Sequence, residues 1–340
     1  MTSLVAGCND SPAPTQPGDA PIPADASVAV AAAVLPTTNT WVSRAAPTPT
    51  TALTGFTAGM APNAAGQSIV YTFGGQNCDN ECGYGFPTVA YNTVTDVWTT
   101  KQTRSQFGER SNGVAKIGNT LYYSGGMEHD GTGNEAVDYA LVAYDYTNDV
   151  AVRRAAMPRP TAAGVTGVIN NIMYVLPGIC GTEDWPYNHN CEYPSFRRLF
   201  RYNPATDSWG TRRLSPHFHI DGAGAAIAGR FYVVGGADST GHAVTQLDAY
   251  DPTTDHWQTL APLPGGAGGP AIGTALGSKL YIILRDHRLF VYNPATNAWT
   301  AKRALPAATF PQVAVRVVIN NQLYLFVIGA GNQPTQLYRP

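Results

Sequence analysis

The stretch that decides the fold is "YNPATDSW", Tyr202–Trp209, because it returns along the chain. It reads "YNTVTDVW" at Tyr91–Trp98, "YDPTTDHW" at Tyr250–Trp257 and "YNPATNAW" at Tyr292–Trp299. A degenerate copy, "YDYTNDVA", spans Tyr144–Ala151 and puts Ala151 where the others have Trp. An apolar strand precedes each copy and often ends in Gly-Gly, as in "IVYTFGG" at Gly75, "LYYSGG" at Gly126 and "FYVVGG" at Gly236. Weaker versions end at Gly178, Arg285 and Ala330. The period is roughly 50 residues, the size of one supersecondary unit that cannot bury both its faces alone and must stack on copies of itself.

The set of motifs resembles the kelch repeat, over Trp41 to Pro340. The resemblance implies an all-β fold, a six-bladed kelch β-propeller built from four-stranded antiparallel blades. Tyr and Trp then supply large contact areas between blades. Gly-Gly lets backbone pass close at a crowded point, and "NPAT" is a tight turn with Pro fixing φ. Six Tyr positions count the blades: Tyr91, Tyr144, Tyr202, Tyr250, Tyr292 and Tyr338. The last copy stops at Pro340 without its Trp, and "TTNTW", ending at Trp41, supplies the missing piece. An N-terminal strand is therefore expected to complete the last blade and close the ring, which removes the free sheet edges. The propeller is assigned to residues 37–340 and a separate leader to residues 1–36.

Composition narrows the function. The 340 residues carry 21 Lys and Arg against 23 Asp and Glu, a net charge of −2, so no basic excess points to nucleic acid. No run of 18 apolar residues exists to span a bilayer. The segment Ser11–Pro36 is mostly Pro, Ala, Thr, Asp and Gly and reads as a disordered tether. Just before it, Val5-Ala6-Gly7-Cys8 resembles a bacterial lipobox, which implies lipidation at Cys8. The expectation is an exported protein of the bacterial periplasm or cell surface, touching membrane only through that lipid. Setting Cys8 aside leaves four cysteines, and the close pairs Cys78/Cys82 and Cys180/Cys191 fit local disulfides in an oxidising compartment. Three connectivities are open from sequence. A zinc site with His189 is the weighed alternative, and it lacks C-x2-C spacing.

With strands lettered a to d from the axis outward, the a–b and c–d turns ("INN", "IAG", "NPAT") are short and the face they form reads as structural. The b–c and d–a loops share the other face. Gln76–Pro87, Met127–Asp138 and Ile179–Arg198 are long, while blade five has only "RDHR". Long loops mark function more often than they mark packing. These loops hold Glu128, His129, Asp130, Glu183, Asp184, Trp185, Tyr187 and His189, and a ligand is expected there, toward blades one to three. Each residue alone reads as a solvated loop position; the cluster over the axial opening carries the argument. Carboxylates beside aromatic rings suit a carbohydrate or a protein ligand, and their oxygens also suit calcium, although no cofactor is expected. Arg110, His219 and Arg285 are expected to line the channel mouth.

Enzyme classes on related folds were weighed against a binding module. Galactose oxidase needs copper and a Tyr–Cys cofactor, and the paired cysteines leave no free thiol for it. Nitrile-specifier proteins hold iron through E-x3-D-x3-H; Asp238 and His242 keep the spacing but Val234 stands at the Glu position. A periplasmic sugar-modifying enzyme, such as a sialic-acid mutarotase or epimerase, is a fold-level analogy with no local motif to carry it. A binding or recognition module is the leading expectation, and a structural component of a cell-envelope assembly is the third class.

Overall fold

A computed structural model of the chain describes residues 34–47, 54–75, 87–104, 111–129, 135–179 and 195–340. These residues form six four-stranded antiparallel sheets and one small hairpin, Met127–His129 with Glu135–Val137. Blade one holds Thr57–Pro62, Ser68–Phe73, Pro87–Asn92 and Val97–Arg104; blade two holds Val114–Ile117, Thr120–Ser124, Leu141–Asp145 and Val150–Arg153. Blade three follows with Val165–Ile169, Ile172–Leu176, Arg198–Asn203 and Ser208–Leu214, and blade four with Ala223–Ile227, Arg230–Val234, Leu247–Asp251 and His256–Leu260. Blade five comprises Ala271–Leu276, Lys279–Leu284, Leu289–Asn293 and Ala298–Lys302. Blade six takes Pro311–Ile319, Gln322–Gly329 and Thr335–Arg339 from the C-terminus and Thr40–Arg44 from the N-terminal side.

That last pairing closes the ring as the repeat count requires. Trp41 faces Tyr338 across the pair, the same register as Tyr202 with Trp209 and Tyr250 with Trp257. The buried apolar residues fall into six clusters, one between each pair of neighbouring blades. Burial therefore drives blade stacking and leaves the axis open.

The repeat motif is a clasp across each blade boundary. Its Asp or Asn sits in the left-handed region, with φ of 60° at Asp96, 45° at Asp207, 52° at Asp255 and 56° at Asn39, a conformation that these two residue types tolerate best after Gly. The turn aims the side-chain oxygen at the buried Tyr hydroxyl of the same blade. The six hydroxyls donate over 2.5 to 2.8 Å to Asp96, Asp149, Asp207, Asp255, Asn297 and Asn39. The same side chain accepts an N–H from the preceding blade, such as Ala155 to Asp207 at 3.0 Å. The Trp indole then donates to the carbonyl of that preceding residue, as Trp209 does to Ala155 at 2.8 Å and Trp299 to Ala261 at 2.7 Å. Blade two, with Ala151, has no indole to give; there the Thr103 hydroxyl of blade one donates to the Asp149 carbonyl.

The Gly-Gly positions join blades at the opposite end. Gly125 has φ of 59°, and a Cβ there would stand 1.9 Å from the Thr161 carbonyl in the loop leading to the next blade. Any side chain would push the neighbouring blade away.

Candidate functional site

The six inner strands surround an axial cavity of about 700 Å³. Small residues make the room: Gly59, Gly167, Gly224 and Gly273 stand on the walls. Each also meets a neighbour closely; a Cβ on Gly224 would lie 2.2 Å from the Tyr232 carbonyl. Four charged side chains line the cavity among the described residues: Lys116, Asp221, Arg285 and Arg316. Lys116 stands beside the a–b turn, donating to the Gly118 carbonyl at 2.7 Å. Asp221 and Arg285 stand at the other mouth, where the b–c and d–a loops gather.

At that mouth the Arg285 guanidinium lies over the Phe310 ring, 5.7 Å from its centroid. Arg285 comes from the short loop of blade five, and Phe310 from the loop between blades five and six. Phe310 is 38% exposed, unusual for so large an apolar ring on this chain. Its backbone is held at both ends: its N–H donates to Gln333 Oε1, and its carbonyl accepts from Ala330. The result is an exposed cation and aromatic face on a fixed base, with Gln312 beside it accepting from Gly55 N–H at 3.0 Å.

A second mouth residue is structural. Asn112 is fully buried and donates at 3.1 Å to both the Ser124 and Thr161 carbonyls, while its oxygen accepts from Gly164 N–H at 3.0 Å. It ties blade two to blade three under the rim. No spacing or motif marks it in the sequence, and a lone Asn in "SNG" gives no signal.

His219 is placed differently from the expectation. Its side chain is fully buried, so it does not line the mouth. Its ring faces Asp248 and the Gly235 carbonyl behind the cavity wall. Arg285 does line the cavity. Arg110, Asp130, Glu183, Asp184, Trp185, Tyr187 and His189 lie outside the described residues, as do Cys8, Cys78, Cys82, Cys180 and Cys191. Glu128 and His129 are described only as backbone of the small hairpin in blade two. Asp238, half of the partial iron spacing, caps its own turn, accepting from Thr240 and His242 N–H. No group of three or more metal-ligating side chains forms among the described residues.

Fold and clasp together define the class: the chain is a kelch-type six-bladed β-propeller. A kelch-motif family model matches residues 221–264, the stretch from Asp221 through the blade-four clasp. Kelch-like protein 23 of Pongo abelii is 26% identical over 230 residues, covering 67% of this chain and 36% of that protein. Kelch-like protein terF of Aspergillus terreus is 27% identical over 237 residues, 64% of this chain and 49% of that protein. The chain thus spans about a third to a half of the length of these relatives. Among solved structures, the one titled "Structure of YjhT" superposes with a TM-score of 0.64 at 16% identity, over 86% of this chain and 94% of that one, a likeness of fold. At this level the functional class is a binding or recognition module.

Proposed function

We propose that this propeller binds its ligand at the b–c/d–a mouth of the axial cavity, with Arg285 and Phe310 as anchors. The observation that carries the reading is the stacked, exposed Arg285–Phe310 pair on the rim of a cavity of about 700 Å³. Among the described lining side chains, three cations face one carboxylate, so the cavity favours a ligand rich in acceptors. Phe310 offers a face for an apolar patch, and aromatic and Arg side chains commonly dominate recognition energy. A carbohydrate meets both demands: hydroxyls toward the guanidinium and an apolar sugar face toward the ring. A protein segment is the other class of ligand the mouth accommodates. The screen that decides uses the full chain against glycan and peptide arrays in parallel, with Arg285→Ala and Phe310→Ala as controls. Signal on glycans that both variants lose supports the reading; hits that neither variant weakens overturn it.

The proposed setting is outside the cytoplasm, with a lipid on Cys8. The support is the sequence "LVAGC" followed by a Pro- and Ala-rich segment, and the even number of remaining cysteines. Mass spectrometry of unreduced protein is expected to show Cys78–Cys82 and Cys180–Cys191 linked; four alkylatable thiols would remove both the disulfides and the export argument.

A further inference from the structure

Blade four carries a buried ionisable cluster that neither the clasps nor the cavity uses. Asp248, in the strand Leu247–Asp251, has no exposed surface. Its Oδ2 meets His217 Nδ1 at 2.9 Å and His219 Nε2 at 3.2 Å, and its Oδ1 accepts from the Thr259 hydroxyl at 2.7 Å. The other nitrogen of His219, Nδ1, lies 2.9 Å from the Gly235 carbonyl. Both partners of the buried His219 ring are therefore acceptors. A carbonyl oxygen can only accept, so Nδ1 carries a proton. The contact between Nε2 and the carboxylate then needs a second proton, and a carboxylic acid is the stronger acid of the two, so the ring holds it. Burial alone would raise Asp248, but the His219, Thr259 and His217 hydrogen bonds outweigh it and hold the carboxyl below the usual range.

Blade six shows the same site without charge. Gln336 occupies the register position of Asp248, two residues before the clasp tyrosine, and faces Ser43 as Asp248 faces Thr259. Gln336 Nε2 donates to Thr309 Oγ1 at 3.0 Å and to Ser43 Oγ at 3.1 Å, and Thr309 donates to the Pro334 carbonyl. The fold thus satisfies this position with neutral groups in one blade and with an ion pair in another.

We propose that His219 and Asp248 form a proton-dependent latch that pins the loop from Pro216 to Gly222. The loop matters because it carries Asp221 and Gly222 to the cavity wall, and Gly222 N–H is itself bonded to the His219 carbonyl at 3.0 Å. The proposal rests on this cluster alone and holds whatever the mouth binds. Among the described residues, the titratable or charged groups around it are His217, His219 and Asp248, with Arg197 next, its guanidinium holding the Ser215 and Pro216 carbonyls. Loss of the second ring proton sets Nε2, now an acceptor, against a buried carboxylate; the latch weakens as pH rises. On the acid side it fails only once pH falls through the lowered value of Asp248.

The test is histidine nitrogen NMR on the full chain, with amide exchange across the loop. At neutral pH both His219 nitrogens are expected to be protonated; a bare ring nitrogen on His219 in the folded protein overturns the proposal. Protection of the Asp221 and Gly222 amides, corrected for intrinsic rates, is expected to fall at least about tenfold from about pH 6 to about pH 9. Asp248→Asn, whose amide can donate to a neutral ring, should flatten that dependence, and so should the pair His219→Thr with Asp248→Gln, which copies blade six. The same pH profile in a folded variant and the wild type overturns the latch; where neither variant folds, the ring protonation decides.

Discussion

The Tyr338 hydroxyl donates a 2.7 Å hydrogen bond to Asn39 Oδ1, joining residues 299 positions apart. Trp41 adds its indole N–H to the Arg303 carbonyl at 3.0 Å, and its ring stacks at 4.8 Å on Tyr338. The ring therefore closes through the same three-part clasp that joins the other blades. Removing residues 1–33 should leave the melting temperature almost unchanged. Removing residues through Trp41 takes away a strand, the indole and the Asn39 acceptor, and should cost on the order of 3 kcal/mol or more. Calorimetry on the two truncations checks this, and equal midpoints would contradict the closure.

Clasp tryptophans should matter in proportion to what they hold. Trp209→Ala removes a 2.8 Å hydrogen bond and the contact with Tyr202, whose ring centre lies 5.1 Å away. A loss of about 2–3 kcal/mol is expected, with ligand binding unaffected once the protein is folded. Blade two already lacks this element at Ala151, and its outer strand is the shortest of the six, at 4 residues. Hydrogen exchange should find Val150–Arg153 less protected than Ser208–Leu214. Greater protection at Val150–Arg153 would show that Thr103 fully replaces the indole.

Acid should loosen some clasps and spare others. The Tyr202 hydrogen bond, with Ala155 N–H, holds Asp207 below the usual carboxylate range. A lowered folded value means the carboxylate stabilises the fold above the unfolded value, about pH 4, and this is lost as pH falls through the folded value. Asn297 and Asn39 make the equivalent bonds with an amide and do not titrate. Asp207→Asn should therefore flatten the acid limb of stability against pH without changing the neutral midpoint much. An unchanged acid limb would mean that the Tyr202–Asp207 bond contributes nothing to pH dependence.

The architecture was readable because the clasp is local in sequence: Tyr, Asp and Trp lie within eight residues, at Tyr202, Asp207 and Trp209. The part played by the Asp was not evident, since its oxygen meets the preceding blade, 52 residues away at Ala155. Loop length identified the face but not its anchors. Phe310 follows no motif, and its exposure depends on how the Gln333 side chain holds its backbone. His219 read as a rim residue because charge was visible and burial was not; its partner Asp248 is 29 residues on and in another strand. The long-loop residues favoured from sequence, Glu183 and Trp185 among them, fall outside the described residues.

The central claim is that ligand enters at the Arg285–Phe310 mouth. The direct measurement is the dissociation constant of the best glycan or peptide hit for wild type, Arg285→Ala, Phe310→Ala and Lys116→Ala, the last changing the cavity at its a–b end. Loss of either anchor should weaken binding at least about tenfold, while Lys116→Ala stays within about twofold. Tight binding by both anchor variants, with loss in Lys116→Ala, would place the site at the wrong end of the propeller.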